Sequence, residues 1–161
     1  MKILYPFTLL CLVSLILLSS CKSDNKINSK KRSTDYLQND FKPDEFYPAG
    51  QVELQMKSDG STMYGFAYTA DGKGPHPTVV LLHGLPGNER SHDLAQNLRR
   101  AGYNTIYFNY RGAWGSKGTF GFQNAIDDAS AVVDYLTDSV NRETLRVDTS
   151  KIAFAGHSMG A

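Results

Sequence analysis

The segment Gly156-His157-Ser158-Met159-Gly160 sets one hydroxyl between two glycines. This is a Gly-x-Ser-x-Gly pattern, and it comes directly after the apolar run Ile152-Ala153-Phe154-Ala155. A serine on a sharp strand-to-helix turn is held in a strained backbone conformation. Side chains two residues to either side would collide with neighbouring elements, and Gly156 and Gly160 remove that collision. The Ser158 hydroxyl is then exposed at the top of a sheet. A helix opened by such a turn aims its first N–H groups at the same spot, where they favour developing negative charge. The chemistry of that arrangement is nucleophilic attack on a carbonyl. The plainer reading is a glycine-rich turn with an incidental serine, and placement directly after a buried strand is the feature that separates the two.

Two further segments end apolar runs in the same way. His83-Gly84-Leu85-Pro86-Gly87 comes after Thr78–Leu82. A tight turn at Gly84 can point a backbone N–H into a cleft, and an oxyanion needs two such donors. Those donors are assigned to the amides of Leu85 and Met159. His83 is read as a brace for its loop rather than as a proton acceptor. Asn109-Tyr110-Arg111-Gly112 comes after Thr105–Phe108, and Arg111 is expected to tie neighbouring loops together by hydrogen bonds. Trp114 either lines the cleft or simply packs.

These loops need strands to carry them. Val52–Lys57 alternates apolar and polar residues, Asp59-Gly60 marks a turn, and Met63–Thr69 is aromatic and β-prone. Together they predict a hairpin at a sheet edge. Thr78–Leu82 and Thr105–Phe108 read as buried strands, and Ile152–Ala155 as a further apolar strand. Between them, Ser91–Ala101 carries Leu94, Ala95, Leu98 and Ala101 at helical spacing, with Arg99 and Arg100 at its end and Gly102 to stop it. A second helix places Phe122, Ile126, Ala129, Val133 and Leu136 on one face. Strands alternating with helices predict an α/β fold with right-handed parallel crossovers. Chemistry in such sheets gathers at the carboxyl ends of the strands. The three loops therefore meet there.

Composition narrows the field. The 161 residues suffice for one domain, with 41% apolar and 20% charged residues and a net charge of +1. That balance gives no electrostatic case for nucleic acid as a partner. Lys26, Lys30, Lys31 and Arg32 cluster in a polar stretch, read as a solvated tether rather than a binding site. The only cysteines are Cys11 and Cys21, so residues 41–161 hold no disulfide framework and no cysteine-based metal site.

Residues 1–20 read as a signal peptide. Lys2 gives a positive start, and Ile3–Leu18 is apolar apart from Thr8 and Ser14, too short to span a bilayer comfortably. The close of this run, Leu18-Ser19-Ser20-Cys21, resembles the lipobox of bacterial lipoproteins. The resemblance implies that Cys21 becomes a lipidated N-terminus and anchors the protein to a membrane in the bacterial cell envelope. With Lys22 next, the outer membrane is the expected leaflet over the inner. Residues 21–40 read as a flexible tether and 41–161 as the domain.

The three motifs, in this order and each after its own strand, resemble the α/β-hydrolase superfamily. The stretch from His83 to Leu136 is especially similar to the prolyl-oligopeptidase and serine-aminopeptidase branches. The resemblance covers about Val52 to Ala161 and departs at Asn109, where many relatives carry Asp. It implies a serine hydrolase that cleaves an ester or amide of a small molecule or peptide by acyl transfer, with no metal or organic cofactor. It also implies that the triad acid and histidine lie downstream of the nucleophile, whereas His76, His92 and His157 lie upstream of Ser158 or beside it. The expectation is therefore the N-terminal half of an α/β-hydrolase sheet, with later strands missing and this chain itself inactive. Ile152–Ala155 is then expected to be an uncovered apolar edge. The rival expectation is a non-catalytic truncated lipoprotein or a binding module.

Overall fold

The computed structural model describes residues 42–161. The expected signal peptide, Cys21 and the expected tether of residues 21–40 lie outside the described residues. Five strands form one sheet in the order β1-β2-β4-β3-β5. Strands β1 (Gly50–Ser58) and β2 (Ser61–Thr69) pair antiparallel over their whole length, from Gly50 against Thr69 to Ser58 against Ser61. Asp59 and Gly60 both take positive φ, the backbone of the tight turn that suits twisted hairpins. The alternation in β1 buries Leu54 and Met56, while Val52 lies out towards the strand's open end.

Strand β2 pairs antiparallel with β4 (Asn104–Phe108), and β3 (His76–Leu82) lies parallel between β4 and β5 (Val147–Gly156). All five residues of β4 are buried, the run Thr105–Phe108 as its apolar and β-branched character predicts, and Asn104 with its side chain bonded to the Ala70 N–H and the Leu145 carbonyl. Helix α1 (His92–Arg100) packs on β4 and β2, and helix α2 (Phe122–Thr137) packs on β1 and β5. Successive strand residues divide between the two layers. Val80, Ile106 and Ala67 join Val132 and Leu136 in the larger core, while Leu81 and Tyr68 join Ala95 in the smaller one. Helices therefore cover both faces of the sheet.

Two features go beyond the sequence expectation. A short helix, α3 (Ser139–Thr144), comes after α2, and the Asp138 carboxylate caps it by accepting from the N–H groups of Val140 and Asn141. Strand β5 begins at Val147, well before Ile152, with an irregular register against β3 between His76 and Thr78. The other correction concerns α2. Of the predicted stripe Leu136 is buried, but Asp128 and Val132 are its buried companions, and Phe122 and Ile126 are exposed. Phe122, Ile126, Ala129 and Val133 instead line an apolar trough of about 750 Å³ that also meets Phe154 of β5 and Met159. Strand β5 is the outer strand beside β3, and Phe154 is 48% exposed. Among the described residues, no helix is long and apolar enough to cross a membrane.

Candidate active site

Parallel pairing of β4, β3 and β5 brings their carboxyl ends side by side. The loops that begin at Asn109, His83 and His157 therefore open at one edge of the sheet, in agreement with the sequence expectation.

Ser158 sits at the turn after β5 with φ +57, a left-handed conformation that L side chains rarely adopt. Its side chain is exposed. The turn owes its tightness to missing side chains. A Cβ at Gly156 would overlap the Gly160 carbonyl, and one at Gly160 would overlap the Leu82 carbonyl at the end of β3. The His157 N–H donates to that same Leu82 carbonyl at 3.3 Å. Ser158–Gly160 form a single 3-10 turn rather than a full helix within these residues.

The β3 loop reaches the serine directly. A Cβ on Gly84 would stand 3.1 Å from Ser158 Cβ and 3.3 Å from the His157 carbonyl. Leu85, the next residue, lies outside any strand, and its N–H has no backbone acceptor among the described residues. Met159 succeeds Ser158 in the 3-10 turn and packs its side chain against the larger core. His83 is buried and turned inward. Its Nδ1 lies 2.7 Å from the Gly84 carbonyl, which can only accept, so Nδ1 carries the hydrogen. Its Nε2 is buried without a partner, and the ring packs 4.5 Å from that of Tyr110. Burial holds the His83 pKa below the ordinary histidine value, with a smaller push in the same direction from Arg90 and an opposing pull from the Gly84 carbonyl. Among the described residues, the ring's one hydrogen bond is thus to its own loop.

Arg111 is a hub. Its Nε donates to Asp128 Oδ1 at 2.5 Å, its backbone N–H to Asp128 Oδ2 at 2.8 Å, and Nη1 to Asp59 Oδ2 at 3.2 Å. Nη2 reaches the Asn124 carbonyl at 3.3 Å. One guanidinium thus joins the β4 loop, the first half of α2 and the β1–β2 turn. Asp128 is wholly buried. Burial, with a further contribution from Asp128, pushes the neighbouring Tyr110 hydroxyl up to about 12.

Two other histidines are occupied elsewhere, and His157 is exposed beside Ser158. His76 lies between the carbonyls of Gly102 and Gly72, and His92 meets the Tyr68 hydroxyl at 2.9 Å and stacks on Phe66. Among the described residues, no histidine hydrogen-bonds Ser158. Sequence reasoning misses Asp128 and the Trp114–Pro86 hydrogen bond. The first does carry a signal, since Asp128 shares a helical face with Val132 and Leu136, where a lone carboxylate requires a cationic partner. Among the described residues, no group of three His, Cys, Asp or Glu is placed to hold a metal ion.

The strand order and the serine turn define an α/β-hydrolase fold. Residues 73–161, more than half of the chain, match the serine aminopeptidase S33 family, and the chain belongs to it. It is 30% identical over 115 residues to the uncharacterized protein Rv2307c of Mycobacterium tuberculosis, covering 71% of this chain and 39% of that protein. It is 31% identical over 106 residues to the uncharacterized protein YfhR of Salmonella typhimurium, covering 63% and 35%. The chain thus spans about two fifths of the length of the curated relatives it matches. Among solved structures it resembles DcsB in complex with its substrate analogue, with a TM-score of 0.60 and 24% identity over 69% of this chain and 38% of that one. It also resembles the Pyrococcus furiosus esterase Pf2001, with a TM-score of 0.56 and 21% identity over 70% and 43%. A third likeness is to XC6422 of Xanthomonas campestris, described as an α/β serine hydrolase without a lid, at 0.54 and 21% over 73% and 55%.

Proposed function

We propose that this chain carries the nucleophile half of a serine hydrolase that cleaves an ester or amide by acyl transfer. Ser158 Oγ attacks the carbonyl carbon and forms an acyl-enzyme, which water then hydrolyses. The amides of Leu85 and Met159 hold the oxyanion. The observation that carries the reading is the junction of the two motifs. A Cβ on Gly84 would stand 3.1 Å from Ser158 Cβ, and Ser158 is itself held at φ +57. A merely structural glycine turn has no need of an exposed serine in a strained conformation against a second loop with an unpaired N–H.

No described histidine hydrogen-bonds Ser158, and the relatives are longer than this chain, which supports a proton acceptor and orienting acid supplied from outside the 161 residues. Alone, Ser158 is a weak nucleophile, so the isolated chain turns over slowly or not at all. Substrates are small esters, amides or peptides. The same proposal places the domain in the bacterial cell envelope, lipid-anchored through Cys21 and more readily at the outer membrane than the inner. Its support is Leu18-Ser19-Ser20-Cys21 closing an apolar run.

A fluorophosphonate probe tests the chemistry. The expected result is a covalent adduct at Ser158, located by mass spectrometry and lost in Ser158→Ala. No adduct on the protein purified at its full natural length would leave the non-catalytic lipoprotein reading in its place. Incorporation of labelled fatty acid, lost in Cys21→Ala, tests the anchor.

A further inference from the structure

Trp114 is the one tryptophan of the chain. It occupies the second position of a tight turn in which the Ser116 N–H donates to the Ala113 carbonyl at 2.9 Å. Both central residues take positive φ, +47 at Trp114 and +94 at Gly115. Glycine suits such positions and a large aromatic does not. The turn holds its shape because its surroundings fix it. The Asn109 amide donates to the Trp114 carbonyl at 3.3 Å, and the Tyr107 hydroxyl holds the Asn109 side chain at 3.1 Å. Ser116 Oγ donates to the Asn109 carbonyl at 2.8 Å and accepts from the Tyr64 N–H at 3.0 Å. An unfavourable conformation maintained by so many bonds calls for a reason.

The indole supplies one. Trp114 Nε1 donates to the Pro86 carbonyl at 2.6 Å, across 28 residues, although the ring is half exposed. Pro86 is the neighbour of Leu85, and Gly84 on the other side of Leu85 abuts Ser158. The loop from Gly84 to Gly87 thus has an inner tie, His83 Nδ1 to the Gly84 carbonyl, and an outer tie at Pro86. Among the described residues, the outer one is the only hydrogen bond that joins this loop to a distant segment.

We infer that Trp114 is a positioning residue: its indole N–H fixes the Leu85–Pro86 turn so that the Leu85 N–H stays aimed at the carbonyl attacked by Ser158. The inference rests on the hydrolase reading of Ser158 and deepens it. Trp114 touches no reacting atom. It acts through the loop, and an oxyanion donor displaced by a fraction of an ångström loses most of its effect.

The test separates the N–H from the ring. In the full chain, Trp114 is replaced by phenylalanine, by 3-benzothienylalanine, which keeps the bicycle and puts sulfur in place of N–H, and by 7-azatryptophan, which keeps the N–H. Two quantities are read: the rate of fluorophosphonate labelling at Ser158 and the amide resonances of Gly84, Leu85 and Met159. The expected result is labelling slowed roughly tenfold by the sulfur isostere and by phenylalanine, and restored by 7-azatryptophan. The Gly84 and Leu85 resonances shift in the slowed variants, and that of Met159 does not. Labelling at the unaltered rate with the sulfur isostere, and an unmoved Leu85 resonance, would overturn the inference. Absence of labelling in every form, the native chain included, defeats the hydrolase reading itself. The Leu85 resonance then still decides whether Trp114 holds the loop.

Discussion

The loops after β4 and β5 end at the same edge of the sheet and are fixed by opposite means. The β4 loop is held by what its side chains carry. Arg111 bonds to Asp128, Asp59 and Asn124, and Ser116 and Asn109 tie the remainder. The β5 loop is held by what its residues lack, since Gly156, Gly160 and the Leu82 carbonyl approach more closely than any side chain would allow. Polar bonds of the first kind support the fold as a whole, because they join elements from distant parts of the chain. Close backbone packing of the second kind shapes one residue, Ser158.

That contrast predicts different consequences when each loop is broken. The largest loss of stability is expected from Asp128→Ala, which strands the buried Arg111 charge and should cost about 3–5 kcal/mol in denaturant titration. Gly160→Val pushes into the Leu82 carbonyl and should cost about 1–3 kcal/mol, yet it should abolish phosphonate labelling of Ser158. If Gly160→Val left labelling intact, the division of labour between the loops would be wrong. The third effect is confined to alkaline pH. Tyr110 ionises near 10 when unfolded and at about 12 in the fold, so the folded state holds the extra proton between those values. Stability should therefore fall as pH rises from 10 to 12, by up to about 1.4 kcal/mol per pH unit. Thermal melts of Tyr110→Phe should show a flatter decline over that range.

The same contrast explains what the sequence disclosed. The β5 turn is legible because glycine at fixed spacing is itself the signal, and so are β3 and β4, each built on a run of apolar and β-branched residues. The α2 face reads only in part. The stripe from Phe122 through Ile126 to Val133 is the more hydrophobic, but Ala125, Asp128 and Val132 meet the sheet because Arg111 draws Asp128 inward. Hydrophobic periodicity alone cannot weigh a buried ion pair against a methyl stripe. The roles of Trp114 and Asn109 are equally out of reach, since each depends on a partner that the local pattern does not reveal. Helix α3 is short and rests on one capping carboxylate, too little for a periodic signal.

The contact between Gly160 and Leu82 also bears on time. It joins residues far apart in the chain, with three helices and β4 between them, so the turn at Ser158 takes its shape only when β3 and β5 have met. Closing so long a loop is slow, and contacts of this range form late. A folding chain would therefore acquire its β1–β2 hairpin early and the β3–β5 pairing, with the serine turn at its end, late. Until that pairing closes, Ser158 would not be held at φ +57.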